Sequence, residues 1–351
     1  MSYRIILTVV SAFAAFFTQP GVVCAADPEL VTWGGYADLH IAHDFNDLPT
    51  RYRYYTTQPY YTDEPALNLS FVDAKLQSDR YQGRVALQYG SSVIANYSAE
   101  PEVLARYVQE ANIGVRITDE LDLAAGVFLS HLGLESWISG DNLVPSRALV
   151  SDYSPYYQSG VRARYQASER LRFEGHLLRG WQNISAEKSP SGGTKLEYTY
   201  STEWSIAHNT FFGHEGGGKR VFNDFVLHWR REQDFGVDAT YDFGIQGRED
   251  NAAAMWYGWA VIPHYRFSDT IRGALRIEQF TDNHQVLVQS ESGGGFNTVS
   301  FSVSMDFDIA AKATLRAEYR AFVSNRDLFP RGEESASAAD SFALISAVFR
   351  P

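Results

Sequence analysis

Cysteine is nearly absent. The 351-residue chain has one, Cys24, so no internal disulfide can form and stability must come from another source. Lysine is also scarce, with 5 Lys against 25 Arg, and acidic residues outnumber basic ones 42 to 30 for a net charge of -12. That balance excludes nucleic acid as a partner, because phosphate binding needs clustered cations. Long apolar runs are missing beyond the N-terminal segment. The best stretch, residues 252–262, is interrupted by Gly258 and falls short of the roughly 20 residues a spanning helix needs. No Gly-x-Ser-x-Gly elbow or phosphate-cradling loop occurs, so these catalytic classes are excluded and no catalytic residue or cofactor is expected. His40 and His43 beside Asp44 suggest a chelating cluster, but positions three apart on a strand point to opposite faces, so no metal site is expected. Parity likewise separates Ser205 from His208, which leaves a lipid-cleaving Ser/His pair without geometry.

What is present points elsewhere. Arg4, the apolar run 5–17 and the small-residue site Val23-Cys24-Ala25 form a secretory signal over residues 1–25, leaving 26–351 as the mature chain. A lipoprotein beginning at Cys24 is the lesser alternative, since Val22 and Val23 make a poor lipid-attachment site. Export without disulfides suits a closed barrel, whose ladders satisfy every backbone group. Aromatic residues make up 14% of the chain, with 21 Tyr, as expected where rings sit at membrane interfaces with a polar tip in water.

The mature chain alternates with period two, the signature of strands. Val299, Phe301, Val303, Met305 and Phe307 oppose Ser300, Ser302, Ser304, Asp306 and Asp308. Runs near ten residues exceed the usual globular strand of about 5–6. At ~3.3 Å per residue and ~45° tilt they cover about the 25 Å apolar band of an outer membrane. Sixteen strands are predicted, over 32–44, 65–76, 80–90, 108–118, 121–131, 155–167, 170–183, 193–201, 203–213, 220–231, 234–246, 254–267, 270–281, 296–308, 312–324 and 340–349. Fourteen remains the alternative. Pro263 is expected to mark a bulge. Tight turns such as 78–79, 201–202, Glu232-Gln233 and 310–311 alternate with longer segments at 45–64, 91–107, 132–154, 184–192, 282–295 and 325–339. Short turns on one side and long loops on the other are the pattern of a Gram-negative transmembrane barrel. The glycine runs 216–218 and 293–295 read as flexible loop tips.

Parity assigns the charges. With apolar residues toward lipid, Arg84, Arg116, Arg162, Arg164, Arg172, Arg272, Arg276, Glu278, Arg316, Glu318 and Arg320 fall on the lumen side. A lipid-facing Arg at mid-membrane costs roughly 2–4 kcal/mol, so the sorting is energetically forced. These residues are expected to line a water-filled pore for ions and small polar solutes, tuning its selectivity, or else to pair and brace the wall. Serine at 316 and 320 would then shift ion selectivity toward cations. The segment 132–154 carries Glu135, Asp141 and Asp152 and is a candidate constriction loop, by analogy with general porins. Tyr52, Tyr54, Tyr55, Tyr60 and Tyr61 cluster in the first long loop. Stacked aromatics can bind sugar rings, although self-packing or interface contact is the commoner role. Trp256, Tyr257 and Trp259 fit an interface belt.

The stretch 67–90, Leu-Asn-Leu-Ser-Phe-Val-Asp-Ala-Lys-Leu through Val-Ala-Leu-Gln-Tyr-Gly, resembles the second and third strands of the OmpL-like putative β-barrel porin family. Residues 111–134, ending Ala-Gly-Val-Phe-Leu-Ser-His-Leu-Gly-Leu, are similar to that family's strand pair before its inner loop, and Ser146-Arg147, Tyr156 and Gly160-Val161 continue the likeness. The recognisable words cover about a third of the mature chain. The resemblance implies an outer-membrane porin, passive diffusion of small solutes and no cofactor. One departure is the C-terminus: many such barrels end on an aromatic residue, whereas here Phe349 precedes Arg350 and Pro351. The sequence leaves open monomer or homo-oligomer, a non-conducting barrel with a plugged lumen and a structural or adhesive role, and a secreted soluble all-β binding protein.

Overall fold

The computed structural model describes residues 30–231, 234–248, 253–290, 294–333 and 335–351. The expected signal segment with Cys24, the Glu232-Gln233 turn and Gly293 lie outside the described residues.

Each predicted strand forms. In chain order they are β1 (Val31–Asp44), β2 (Ala66–Gln77), β3 (Tyr81–Tyr89), β4 (Val108–Arg116), β5 (Leu121–Leu129), β6 (Tyr157–Ser168), β7 (Leu171–Leu178) and β8 (Ser191–Thr199). There follow β9 (Trp204–Glu215), β10 (Gly218–Arg231), β11 (Phe235–Gly247), β12 (Ala253–Ser268), β13 (Ile271–Asp282), β14 (Phe296–Ala310) and β15 (Ala313–Ser324). A small hairpin of β16 (Phe329–Arg331) and β17 (Ser335–Ser337) precedes the last strand, β18 (Ala339–Phe349).

Fifteen strands and β18 pair antiparallel in sequence order, and β18 closes on β1 with Ala37 opposite Phe349. The result is a closed barrel of sixteen strands, so no edge is left unpaired. The first strand starts and the last strand ends on the short-turn side, where Gln77 N donates to Leu30 O at 2.9 Å and Arg350 N donates to Lys312 O at 3.0 Å. The period-two pattern sorts environments as expected: Val299, Phe301 and Val303 point outward and are exposed, while Ser300, Ser302 and Ser304 point inward and are buried.

Four local expectations change. Strand β7 stops at Leu178 rather than 183; Trp181 instead turns inward, its ring 4.9 Å from Phe211 and 5.0 Å from Phe222. Pro263 makes no bulge. It pairs with Val237, and the β12–β13 ladder skips Ile262 and Pro263 without changing register; the shift falls between Arg266 and Ser268. A missing N–H removes a ladder bond but need not add a residue. Gly216 and Gly217 are no loose tip. With φ of 53° and 84° they close β9 onto β10 as a two-residue turn, a conformation that favours glycine at both places. Trp256 faces the lumen and is buried, while Tyr257 faces lipid, because neighbours on a strand cannot share a belt.

Candidate functional site

The segment between β5 and β6 folds into the barrel. A chain inside a lumen has peptide groups that need partners, and the wall supplies them. On β13 and β15, arginines meet its carbonyls and carboxylates meet its N–H groups. Arg276 Nη1 donates to Ser146 O at 2.6 Å, and Arg320 Nη1 donates to Arg147 O at 2.8 Å. Arg316 donates to Ser139 O at 2.6 Å and to Asn142 O at 2.8 Å. Glu318 accepts from Ser146 N at 2.8 Å and Ser146 Oγ at 2.7 Å, and Glu278 accepts from Leu149 N at 2.5 Å. The wall charges also bind one another, Arg320 to Glu278 at 2.5 Å and Arg276 to Glu278 at 3.2 Å.

The loop crosses the lumen from wall to wall. Gly133 N donates to Asp224 on β10 at 2.7 Å, and Trp137 Nε1 donates to Gln88 on β3 at 2.9 Å. Gly140 N donates to the Tyr36 hydroxyl on β1 at 3.0 Å. The three acidic loop residues have separate tasks. Glu135 accepts from Ala148 N at 2.5 Å within the loop and lies 3.4 Å from Arg276 Nη1. Asp141 pairs with Arg350 at the chain end at 2.5 Å. Asp152 accepts from Tyr156 OH at 2.9 Å and Thr57 Oγ1 at 3.0 Å, joining this loop to the first. Burial pushes both the Glu135 and the Asp152 carboxyls up, opposed chiefly by Arg276 for the first and Arg147 for the second.

The predicted wall residues divide into two groups. Arg276, Glu278, Arg316, Glu318 and Arg320 point inward and are buried beneath the loop. Toward the short-turn end, Arg84, Arg116, Arg162, Arg164, Arg172 and Arg272 are only partly covered. The side chains of Arg116 and Arg272 are 46% and 49% exposed, those of Arg164 and Arg172 33% each. They pair along the wall, Arg84 with Asp73 at 2.8 Å, Arg164 with Glu174 at 2.8 Å and Arg172 with Glu197 at 2.7 Å. Arg162 stands 5.3 Å over the Phe128 ring.

At the height of the loop the lumen is filled. Inward residues from around the circumference, among them Gln88, Gln158, Asn209, Asp242, Glu278 and Arg320, are all buried. Three apolar clusters occupy the space: one joins Leu149 and Val150 of the loop to Phe280, Phe296 and Phe322, another joins Trp137 and Ile138 to Tyr97 and Phe71, and a smaller one joins Val144 to Ile262 and Ala274. Asp224, Gln88 and Tyr36 were not among the predicted site residues. Their inward parity was legible for Asp224, but nothing local shows that a loop would reach them. His40 points inward to Tyr61 O at 3.3 Å and His43 points outward to Asp63 at 2.5 Å. Among the described residues no cluster of His, Cys, Asp and Glu could hold a metal ion.

Comparison with known proteins agrees with this architecture. The family model described as Putative beta-barrel porin-2, OmpL-like matches residues 30–350. No curated protein matches the chain. Solved structures with a similar fold include the outer membrane channel DcaP of Acinetobacter baumannii, at 10% identity over 92% of this chain and 97% of that one, TM-score 0.63. OprB of Pseudomonas putida aligns at 8% identity over 92% and 94%, TM-score 0.61. The trimer form of OmpT of Vibrio cholerae aligns at 13% identity over 92% and 100%, TM-score 0.57.

Proposed function

Because the chain belongs to the OmpL-like putative β-barrel porin-2 family and is an outer-membrane barrel of porin type, we propose that it passes small hydrophilic solutes and ions by passive diffusion. The observation that carries this reading is a loop folded inside a closed barrel whose charged inner wall stays partly exposed below it. Arg84, Arg116, Arg162, Arg164, Arg172 and Arg272, with their paired carboxylates, form a polar vestibule in which charges cost little. Arg276, Glu278, Arg316, Glu318 and Arg320 hold the loop that sets the aperture, and Glu135, Asp141 and Asp152 fasten it from its own side. Flow requires the loop to give way, so conductance is small and set by loop position. No catalytic step is assigned to any residue. Residues 1–25 are read as the export signal, and a mature mass that still includes them would refute that.

A second reading has its own support. Three apolar clusters across the lumen also suit a plugged, non-conducting barrel with a structural role. Planar-bilayer recording of the detergent-purified protein under a salt gradient separates the two. Stable ohmic steps establish diffusion. Silence from protein that is folded and heat-modifiable on a gel leaves only the plugged barrel.

The outer surface supports self-association. On β8–β10, Thr194, Thr210, His208 and Asn223 are half-buried and face outward. Thr194 and Thr210 hydroxyls meet at 2.8 Å, and His208 Nε2 meets Asn223 Oδ1 at 3.0 Å. Exposed Val221, Phe212, Phe225 and Ile206 surround them, so the group lies within the apolar band. Hydrocarbon offers no partner for the remaining donors and acceptors, whereas a second copy does. Cysteine at Thr194 in the otherwise cysteine-free mature chain is expected to cross-link two copies in native membranes, and cysteine at Ala317 on the far wall is not. The reverse pattern would place the contact elsewhere.

A further inference from the structure

Above the constriction loop lies a cavity of about 520 Å³ at the long-loop end of the barrel. Three loops and the constriction loop build it. The first loop contributes Tyr52, Tyr54 and Tyr60, the constriction loop Tyr153, and the segment after β13 contributes Leu287 and Val288. The volume falls within the range typical of small-ligand sites, roughly 300–1,000 Å³.

The first loop is fixed in place before any solute arrives. Arg53 is fully buried and bridges Asp44 and Asp340, the latter at 2.6 Å. Tyr52 pairs with Tyr61 across a short bridge, and Arg53 N donates to Tyr60 O at 2.9 Å. Gln58 Nε2 reaches Trp137 O at 3.3 Å, and the Tyr153 hydroxyl donates to Tyr55 O at 3.1 Å. The Tyr55 backbone is held at a φ of 61°, an unusual conformation for a residue with a side chain. The rings therefore stand on a braced scaffold, and a ligand would lose little by ordering them.

The lining selects a chemical class. Among the described lining residues Arg53 is the only charged one, and Asp44 and Asp340 already hold its guanidinium. Among the described lining residues an anionic solute finds no free cation. What the cavity offers is tyrosine, whose face is apolar and whose tip is polar, opposite the aliphatic Leu287 and Val288. A ligand that matches this is neutral, ring-shaped and rich in hydroxyls, with one apolar face. We propose that the cavity is a binding vestibule for a neutral saccharide, which stacks on Tyr52, Tyr54 and Tyr60 above the constriction loop. The proposal rests on the pore reading for the route the sugar then takes, but the binding itself needs no conduction.

The test is isothermal titration of the detergent-folded barrel with maltotriose, alongside bilayer recording of the same preparation. Saturable binding is expected, weakened about tenfold or more by Tyr54→Ala with Tyr60→Ala. The Tyr54→Phe, Tyr60→Phe pair keeps the rings and is expected to retain most of the affinity. Both variants are checked for heat-modifiability, and their rings lie outside the barrel ladder. Absence of saturable binding, or binding that the alanine pair leaves unchanged, overturns the vestibule. If conductance persists in that case, the pore reading stands. Binding without any conductance would uphold the vestibule and overturn the pore.

Discussion

Replacing Arg276 and Arg320 together by serine is expected to raise single-channel conductance several-fold while leaving a folded barrel. The two guanidinium groups are fully buried and donate to the Ser146 and Arg147 carbonyls. Their removal leaves Glu278 and Glu318 buried at mid-lumen without their cations. Removing one partner of a buried pair costs about 3–5 kcal/mol, and the cheapest relief is for the loop to lift and admit water. The barrel does not depend on the loop for its closure, because its ladders run through all sixteen strands. Lysine at both positions should give an intermediate result, since an ammonium keeps the charge but lacks the planar fork. An unchanged conductance in the double serine variant would show that the apolar clusters and the remaining anchors at Arg316, Asp224, Gln88 and Tyr36 seat the loop without these two arginines. This outcome differs from what parity suggested for 316 and 320. Buried arginines that grip a loop change how much flows before they change which ion flows.

Valine at Gly126 or Gly160 is expected to remove most of the heat-modifiable folded species. These glycines face each other across β5 and β6, at the strands that carry the constriction loop. Gly126 has φ of 130° and Gly160 of 155°, where a side chain is strained. A Cβ at Gly126 would stand 2.1 Å from Ala111 O, and one at Gly160 2.0 Å from Leu177 O. Both obstacles are backbone atoms of the neighbouring strands, so relief means parting the β4–β5 or β6–β7 ladder. Gly175→Ala is the control, because its nearest neighbour would be the Phe173 ring at 3.8 Å. Gel mobility of unheated and heated outer membranes reads all three. Normal assembly of the valine variants would mean that the ladders there tolerate a local opening.

The barrel was legible because its signal is local and repeated. Val299 to Phe307 show lipid and lumen residue by residue, and the same rule placed Arg276, Arg316 and Arg320 inside. Where one local rule met another, legibility fell. Trp256 reads as an interface aromatic by type, yet its strand position turns it inward. Trp181 reads as strand by its neighbours, yet it packs in the lumen. The hairpin of β16 and β17 was hidden in a polar loop because three-residue strands carry no period.

The residue pattern alone was enough to read an outer-membrane chain that closes into a barrel and sorts its charges inward. The cost of placing a charge or an unpaired peptide group in hydrocarbon applies at every residue of every strand, so the pattern is written along the chain. Where the loop 132–154 lies, and which wall charges are left to water, became visible in the folded barrel alone. Arg316 reaches Ser139 across 177 residues and Glu318 reaches Ser146 across 172. Inside the lumen, any inward Arg or carboxylate could satisfy a loop carbonyl or N–H, so no spacing selects the partner. The choice is made by the fit of a folded loop against β13 and β15, which exists only once the barrel has closed.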